Sequence, residues 1–349
     1  MSTSIRVGVV GTGVGVMHLE SLARIEGVTL AGVCSAQRER AEATAARFGV
    51  ERATARYSEL LEWVDAVVIT TPPKLHAPMT LEAIAAGKHV FCEKPLASSL
   101  AEARAMRAAL DASGLVGMIN FQIRFAPTFA EARRMQEAGD LGEVTSVDSR
   151  MMLNPIDYLQ IPDWSSSKVA WFTAAEQAGG LLASSAGPHL IDFALWYGGP
   201  IAAVAARTAV MHPRVQLSDG SEPVEVTAAD SFVILAQHTS GALSTIRGVP
   251  IGWDISEFTV EVHGTRGSVV AERAGGLRGA FNGDKQYRNL ALPSDAYDRT
   301  VIARRFIDAI RDGQPSPTPN FADGVAAQAV IEAALASARD GGWHAVEQG

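Results

Sequence analysis

The sequence predicts two joined architectures: a doubly wound parallel α/β sheet first, then an α+β half built on an open, largely antiparallel sheet. Three observations carry this. Between Ile5 and Asn120, short β-branched runs alternate with helical patterns, the signature of βαβ units. After Arg124, strand-like runs succeed one another through tight turns instead of helices. The length of 349 residues, 47% of them hydrophobic, suits two cores better than one at ~100 to 200 residues per domain. The expected domains are 1-124 and 125-349.

In order along the first half, Ile5 to Val10 reads as a strand, His18 to Ile25 as a helix, Val28 to Cys34 as a strand and Arg38 to Phe48 as a helix. A weak strand is expected near Ala53 to Ala55, and a fourth at Ala66 to Thr70. After the Pro72-Pro73 turn, a helix runs from His76 to Ala86 and ends at Gly87, whose missing Cβ permits the left-handed cap. His89 to Cys92 is strand five. Leu100 to Ala112 is a helix closed by Ser113-Gly114, and Val116 to Asn120 is strand six. Six strands at this spacing suit the order 3-2-1-4-5-6. That order puts two strands between Cys34 and Cys92, roughly 14 Å, beyond disulfide reach.

In the second half a helix from Pro127 to Glu137 precedes strands at Val144 to Met152, Ala202 to Val210, Ser231 to Gln237, Ala242 to Arg247, Glu257 to Val262 and Ser268 to Glu272. Ser240-Gly241 and Gly264-Thr265-Arg266-Gly267 read as hairpin turns. The segment 154-180 carries Trp164, Trp171 and Phe172 among polar residues and reads as a functional loop. Pro315, Pro317 and Pro319 stiffen the approach to a last helix from Asp323 to Ala338.

Charge and cysteine usage exclude several functions. Thirty Lys+Arg against 38 Asp+Glu give a net charge of -8 with no basic run, so neither nucleic acid nor an anionic membrane is an expected partner. Two cysteines suit a reducing compartment, and no basic, apolar leader opens the chain. A cytoplasmic location follows as the expectation. No metal is expected.

Gly11-Thr12-Gly13-Val14-Gly15 sits between the first strand and the first helix, where glycines let backbone amides approach a pyrophosphate. The spacing departs from G-x-G-x-x-G. Val16 holds the third glycine's place, and Gly15 stands one residue early. An NAD site usually carries Asp or Glu at the end of strand two, to bind the ribose 2′-OH. Ser35 stands there, with Arg38 and Arg40 following. A hydroxyl and a guanidinium suit a 2′-phosphate, so NADP is expected in preference to NAD. Alternatively, Ser35 caps the next helix and the arginines are solvated. Thr71, Pro72 and His76 after strand four, and Glu93-Lys94-Pro95 after strand five, fall at the carboxyl edge, where open α/β sheets bind ligands. Lys94 there is a candidate acid-base group; elsewhere such a tripeptide would be an ordinary surface loop.

These motifs, with the segment Phe121 to Pro127 and with Gly179-Gly180-Leu181-Leu182 leading to Gly187-Pro188-His189-Leu190-Ile191-Asp192, resemble the glucose-fructose oxidoreductase / inositol dehydrogenase / rhizopine catabolism (Gfo/Idh/MocA) family over almost the whole chain. The resemblance implies an amino-terminal Rossmann domain and an NAD(P)-dependent oxidoreductase acting on sugars, cyclitols or their derivatives. It places the family's lysine on Lys94 and its histidine on His189. The family's aspartate, four residues before the histidine, falls on Ser185, which cannot carry charge.

His189 also reads physically. With Pro188 at a helix start, the imidazole lies in the first turn, where the positive helix end favours its neutral, proton-accepting form. Asp192, one turn on, is placed to orient the ring or merely to complement the dipole. Arg124, Trp164 and Trp171 are candidates for the substrate wall, with core or interface packing the alternative for each tryptophan. The expectation is an NAD(P)-dependent dehydrogenase or reductase of a ring CH-OH or C=O, with Lys94 and His189 handling the hydroxyl proton. Two other readings stay open: a nicotinamide-binding regulator without turnover, and a redox-neutral elimination or hydrolysis assisted by the cofactor. An open sheet with one uncovered apolar face also predicts a homodimer or homotetramer through the second domain.

Overall fold

In the computed structural model, which describes residues 4–153, 174, 179–215, 222–250, 257–293 and 296–348, the chain divides into two units. One is Met1–Phe125 with Asp298–Gln328, and the other is Ala126–Tyr297 with Ala329–Gln348. Trp164 and Trp171 lie outside the described residues.

The first unit holds a six-stranded parallel sheet of β1 (Ile5–Val10), β2 (Val28–Cys34), β3 (Ala53–Thr54), β4 (Ala66–Ile69), β5 (His89–Cys92) and β6 (Gly117–Ile119), in the order β3-β2-β1-β4-β5-β6. Every residue of β4 is buried, as a strand covered on both faces requires. Helices α1 (Gly15–Leu22), α2 (Arg38–Phe48), α3 (Tyr57–Trp63), α4 (His76–Ala85) and α5 (Leu100–Ser113) follow the strands. The ends of α5 show why it stops where it does. Ser99 accepts a hydrogen bond from the Glu102 N–H at one end, and Gly114 turns left-handed at φ 68° at the other.

Helix α1 begins at Gly15, three residues before the expected start, because Val16 and Met17 already donate to the Gly13 and Val14 carbonyls. The chain also returns to this unit late. The helix Thr300–Arg311 buries Ile302, Ala303, Phe306 and Ile307 in the same core as Val7, Leu19, Val68 and Phe91. The rings of Phe306 and Phe91 lie 5.5 Å apart. Cys34 and Cys92 are buried thiols on β2 and β5.

The second unit is built on a nine-stranded sheet. Its strands are β7 (Val144–Leu153), β8 (Ile201–Ala209), β11 (Ser231–His238), β12 (Leu243–Pro250), β13 (Glu257–Gly264), β14 (Gly267–Glu272), β15 (Gly276–Phe281), β16 (Arg288–Asn289) and β17 (His344–Ala345). The order is β16-β15-β14-β13-β7-β12-β11-β8-β17, and β9 (Arg214–Val215) pairs β10 (Val224–Glu225) separately. Among the described residues β7 and β12 are its one parallel pair.

Helix α6 (Pro127–Glu137), the short α7 (Gly180–Ser184) and α8 (Ala186–Gly198) belong to this unit. Helix α8 covers β7 and β12, and the Ser149 hydroxyl donates to the Leu190 carbonyl at 3.0 Å. Phe193 packs 4.7 Å from Phe129 and 5.4 Å from Phe258. On β11, Phe232, Ile234 and Ala236 are buried while Val233, Leu235 and Gln237 are exposed, the period of a strand with one covered face. The helix Phe321–Asp340 is apolar and long enough to cross a membrane, yet most of it is buried within the protein.

Candidate active site

Four strand ends at the carboxyl edge of the parallel sheet carry the expected residues. The turn after β1 is shaped by its glycines, each for a separate reason. Gly11 has φ +102°, and a Cβ there would come within 2.7 Å of the Thr70 carbonyl oxygen. Gly15 would put a Cβ 2.9 Å from the Thr70 hydroxyl and 3.0 Å from Val9. It therefore supplies the close approach that the Val16 position cannot. A Cβ on Gly13 would meet nothing within 4 Å. Thr70 pins the turn by donating to the Val10 carbonyl at 2.8 Å and the Gly11 carbonyl at 3.2 Å. Its role escaped the sequence reading, where it only closed a strand.

The open space above Gly13 and the first turn of α1, which holds no acidic residue, suit a pyrophosphate, which needs bare amides and a positive helix end. Thr12 is half-buried and Val14 exposed in this same turn. At the end of β2, the Ser35 hydroxyl accepts from the Gln37 N–H at 3.4 Å, and α2 starts only at Arg38. Ser35 thus forms a local turn ahead of the helix and does not cap it. Arg38 is exposed and pairs with Glu42, one helical turn on, at 2.8 Å.

After β4, Thr71 is half-buried and Pro72 exposed. His76 is buried with Nδ1 2.8 Å from the Pro95 carbonyl and Nε2 2.8 Å from the Thr71 carbonyl. Burial pulls its pKa below the usual histidine value, against the pull of the two carbonyls. His76, expected among the cofactor contacts, lies between two ligand-edge carbonyls, and its neutral ring donates a hydrogen bond to one of them.

Glu93 directly follows β5 and is buried. One carboxylate oxygen lies 2.9 Å from His18 Nε2 and accepts from the Asn120 amide at 2.6 Å, while the other accepts from the Lys94 N–H at 3.2 Å. Burial pushes the carboxyl up, but the His18 hydrogen bond and charge, the Lys94 charge and the Asn120 bond outweigh it and hold the pKa at about 2. Lys94 is half-buried, and its peptide bond to Pro95 is cis.

In the second unit, Ser185, His189 and Asp192 are all buried, at 5%, 3% and 1% exposure. Helix α8 starts two residues before the expected position, so Pro188 is its third residue and His189 its fourth. The proline is tolerated because the first four N–H groups of a helix have no intrahelical partner. Arg124, expected at the substrate wall, is only 3% exposed. It pairs with Asp323 at 2.9 Å, donates to the Thr318 hydroxyl at 2.9 Å and lies over the Phe121 ring. That guanidinium fastens the first unit's own segments together.

Comparison with known proteins agrees with this geometry. Residues 5–121 match the model of the oxidoreductase family with an NAD-binding Rossmann fold, and residues 129–270 match the GFO/IDH/MocA C-terminal domain. A levoglucosan dehydrogenase of Pseudarthrobacter phenanthrenivorans is 30% identical over 90% of this chain and 89% of its own. An inositol 2-dehydrogenase of Rhizobium meliloti is 28% identical over 96% and 97%. A solved levoglucosan dehydrogenase in complex with NADH and L-sorbose superposes with a TM-score of 0.89 at 27% identity, covering 99% of both chains. The chain belongs to the GFO/IDH/MocA family of oxidoreductases, with an NAD-binding Rossmann domain at its amino-terminal end.

Proposed function

We propose that this protein is an NAD(P)-dependent dehydrogenase that interconverts a ring CH-OH and C=O on a sugar, glycoside or cyclitol. The observation that carries the reading is Lys94, held at the carboxyl end of β5 by the buried Glu93 in the same unit as the glycine turn. The turn would seat the pyrophosphate on the amides that open α1. A nicotinamide dinucleotide held there would supply the hydride acceptor for the alcohol carbon, or in its reduced form the donor to the carbonyl. Lys94 and His189 handle the hydroxyl proton, which leaves the oxygen on oxidation and returns on reduction. The relatives named levoglucosan dehydrogenase and inositol 2-dehydrogenase support a sugar or cyclitol as the substrate class.

The finer assignments rest on single features. Ser35 leaves no carboxylate to repel a 2′-phosphate, and exposed Arg38 can exchange Glu42 for that phosphate, so NADP(H) is the preferred cofactor. Val233, Leu235 and Leu243 are 40%, 48% and 57% exposed on adjoining strands of the second unit, which suits a homodimer or homotetramer formed through that sheet face. The thiols Cys34 and Cys92 suit the cytoplasm.

The test is a panel of levoglucosan, myo-inositol, scyllo-inositol and D-apiose with NAD and NADP, read at the nicotinamide absorbance. Lys94→Met should lower kcat on the best panel substrate by about 100-fold or more while cofactor affinity stays within a few-fold. Turnover by Lys94→Met near the wild-type rate would remove Lys94 from the chemistry.

A further inference from the structure

The Glu93 carboxylate gathers three segments that are far apart in sequence. His18 comes from α1, three residues after Gly15; Asn120 follows β6; the Lys94 amide follows β5. The side chains of His18 and Glu93 are 8% and 10% exposed. The His18 ring stands perpendicular to Phe91, with centroids 5.3 Å apart, and Phe91 packs in turn on Phe306. Neither His18 nor Glu93 has a role in the hydride or proton chemistry proposed above.

A buried carboxylate gripped by two side chains cannot change rotamer without leaving donors unsatisfied. Its second oxygen holds the Lys94 N–H, so the grip reaches the backbone from which the lysine side chain springs. His18 also sits on the helix whose N-terminus ends the glycine turn. The imidazole therefore joins the cofactor turn to the root of Lys94 within one unit.

We propose that His18 is a positioning residue, which acts through Glu93 to hold Lys94 in its working orientation and ties that orientation to α1. The inference rests on the reading of Lys94 as the proton-handling group. The groups facing the carboxylate charge are His18, Lys94, His76 and the Cys92 thiol, and of these His18 alone reaches it from α1. Asn120 supports the same oxygen but is neutral, and its Oδ1 finds no acceptor role among the described residues.

The experiment compares His18→Leu, His18→Gln and Glu93→Gln in the full chain, with levoglucosan and myo-inositol as probes. His18→Leu removes the donor at similar size and should lower kcat about tenfold or more, with NADH and NADPH dissociation constants within about threefold of wild type. His18→Gln, which can still donate, should recover most of that loss. In a Lys94→Met background His18→Leu should cost nothing further, since its effect passes through the lysine.

A readout without cofactor or substrate is reductive methylation of the apo protein followed by peptide mass spectrometry. His18→Leu should change the labelling rate of Lys94 relative to Lys88. A purely structural role would instead lower thermal stability equally in the Leu and Gln variants, leave kcat per folded molecule unchanged and keep the Lys94 rate constant. That pattern overturns the inference. Full activity of Lys94→Met itself overturns the underlying reading of Lys94, which distinguishes the two failures.

Discussion

Gly13→Ala separates a ligand cradle from a turn that merely happens to be glycine-rich. A Cβ at Gly13 meets no heavy atom within 4 Å, and its backbone is not left-handed. The unfolding free energy should therefore change by no more than about 0.5 kcal/mol, as for an ordinary surface substitution. The methyl would enter the space where a pyrophosphate meets the amides that open α1. Affinity for the dinucleotide should fall at least about tenfold, or about 1.4 kcal/mol.

Gly11→Ala is the opposite case, because φ is +102° and the new Cβ would lie within 2.7 Å of the Thr70 carbonyl oxygen. That oxygen belongs to the backbone and cannot yield alone. Left-handed strain of about 1 to 2 kcal/mol adds to overpacking of about 1 to 3 kcal/mol, so Gly11→Ala should lose about 2 to 5 kcal/mol of stability. Thermal unfolding measures one quantity and fluorescence titration with NADH and NADPH measures the other. Wild-type affinity for both cofactors in Gly13→Ala would refute the cradle, whatever Gly11→Ala does.

Three further outcomes are expected. Arg38→Ala should weaken NADPH about tenfold or more and NADH far less, by titration, and an equal loss for both would end the NADP assignment. Arg124→Met should cost about 1.5 to 3 kcal/mol in chemical denaturation by removing the charged hydrogen bond to Asp323, which keeps the Thr318 hydroxyl and the Asn320 N–H as donors, with substrate KM within about threefold; a large KM change at full stability would return Arg124 to the substrate wall. Glu93 titrates near 2 when folded against 4.5 ordinarily. Because the folded value is the lower one, its contribution is fully present above pH 4.5 and disappears as the pH falls toward 2. Its size is up to about 3 kcal/mol, so Glu93→Gln should flatten the acid limb of the stability curve. An acid limb as steep as wild type would contradict this.

The parallel sheet was legible because its strands are separated by helices and punctuated by residues with local meaning. Gly87 and Gly114 end helices from their own conformations, and Ser240-Gly241 turns a hairpin. What stayed hidden depends on distant partners. The helix Thr300–Arg311 is amphipathic, but nothing local says that Phe306 packs on Phe91 in the first unit. The two-residue strands β16 and β17 form the edges of a sheet whose register is set elsewhere, and β15 pairs between β14 and β16.

The same holds at the site. Gly11, Gly13, Gly15 and Lys94 stand out as motifs, whereas His18 gains meaning only from Glu93, 75 residues away. Arg124 invited a ligand reading until Asp323, 199 residues away, accounted for its charge. Thr70 offered one usable signal, since a hydroxyl directly after an apolar strand and opposite a glycine turn can accept the task of closing that turn.

Ser185 is the position where this chain departs from the resemblance, and the surroundings decide what restoring a carboxylate would do. The residue is 5% exposed and immediately precedes α8, so Ser185→Asp would bury a charge at the positive end of a helix. Desolvation costs such a charge several kcal/mol and the α8 helix end returns up to about 2 kcal/mol, while Ser185 also closes α7 at its negative end, so some stability should be lost. His189 already has a buried carboxylate on its own helix, because Asp192, at 1% exposure, stands three residues on and shares its face. If Asp192 orients the imidazole, the added carboxylate has little left to do for the proton and acts instead on which substrate hydroxyls are accepted. Ser185→Asp should then redistribute kcat/KM among levoglucosan, myo-inositol and scyllo-inositol while NADPH affinity stays within a few-fold, since the glycine turn belongs to the other unit. Asp192→Asn should lower kcat in the wild-type background and less so beside Ser185→Asp. An unchanged substrate profile, or a cofactor affinity that shifts as much as the profile does, would show that position 185 does not select the substrate.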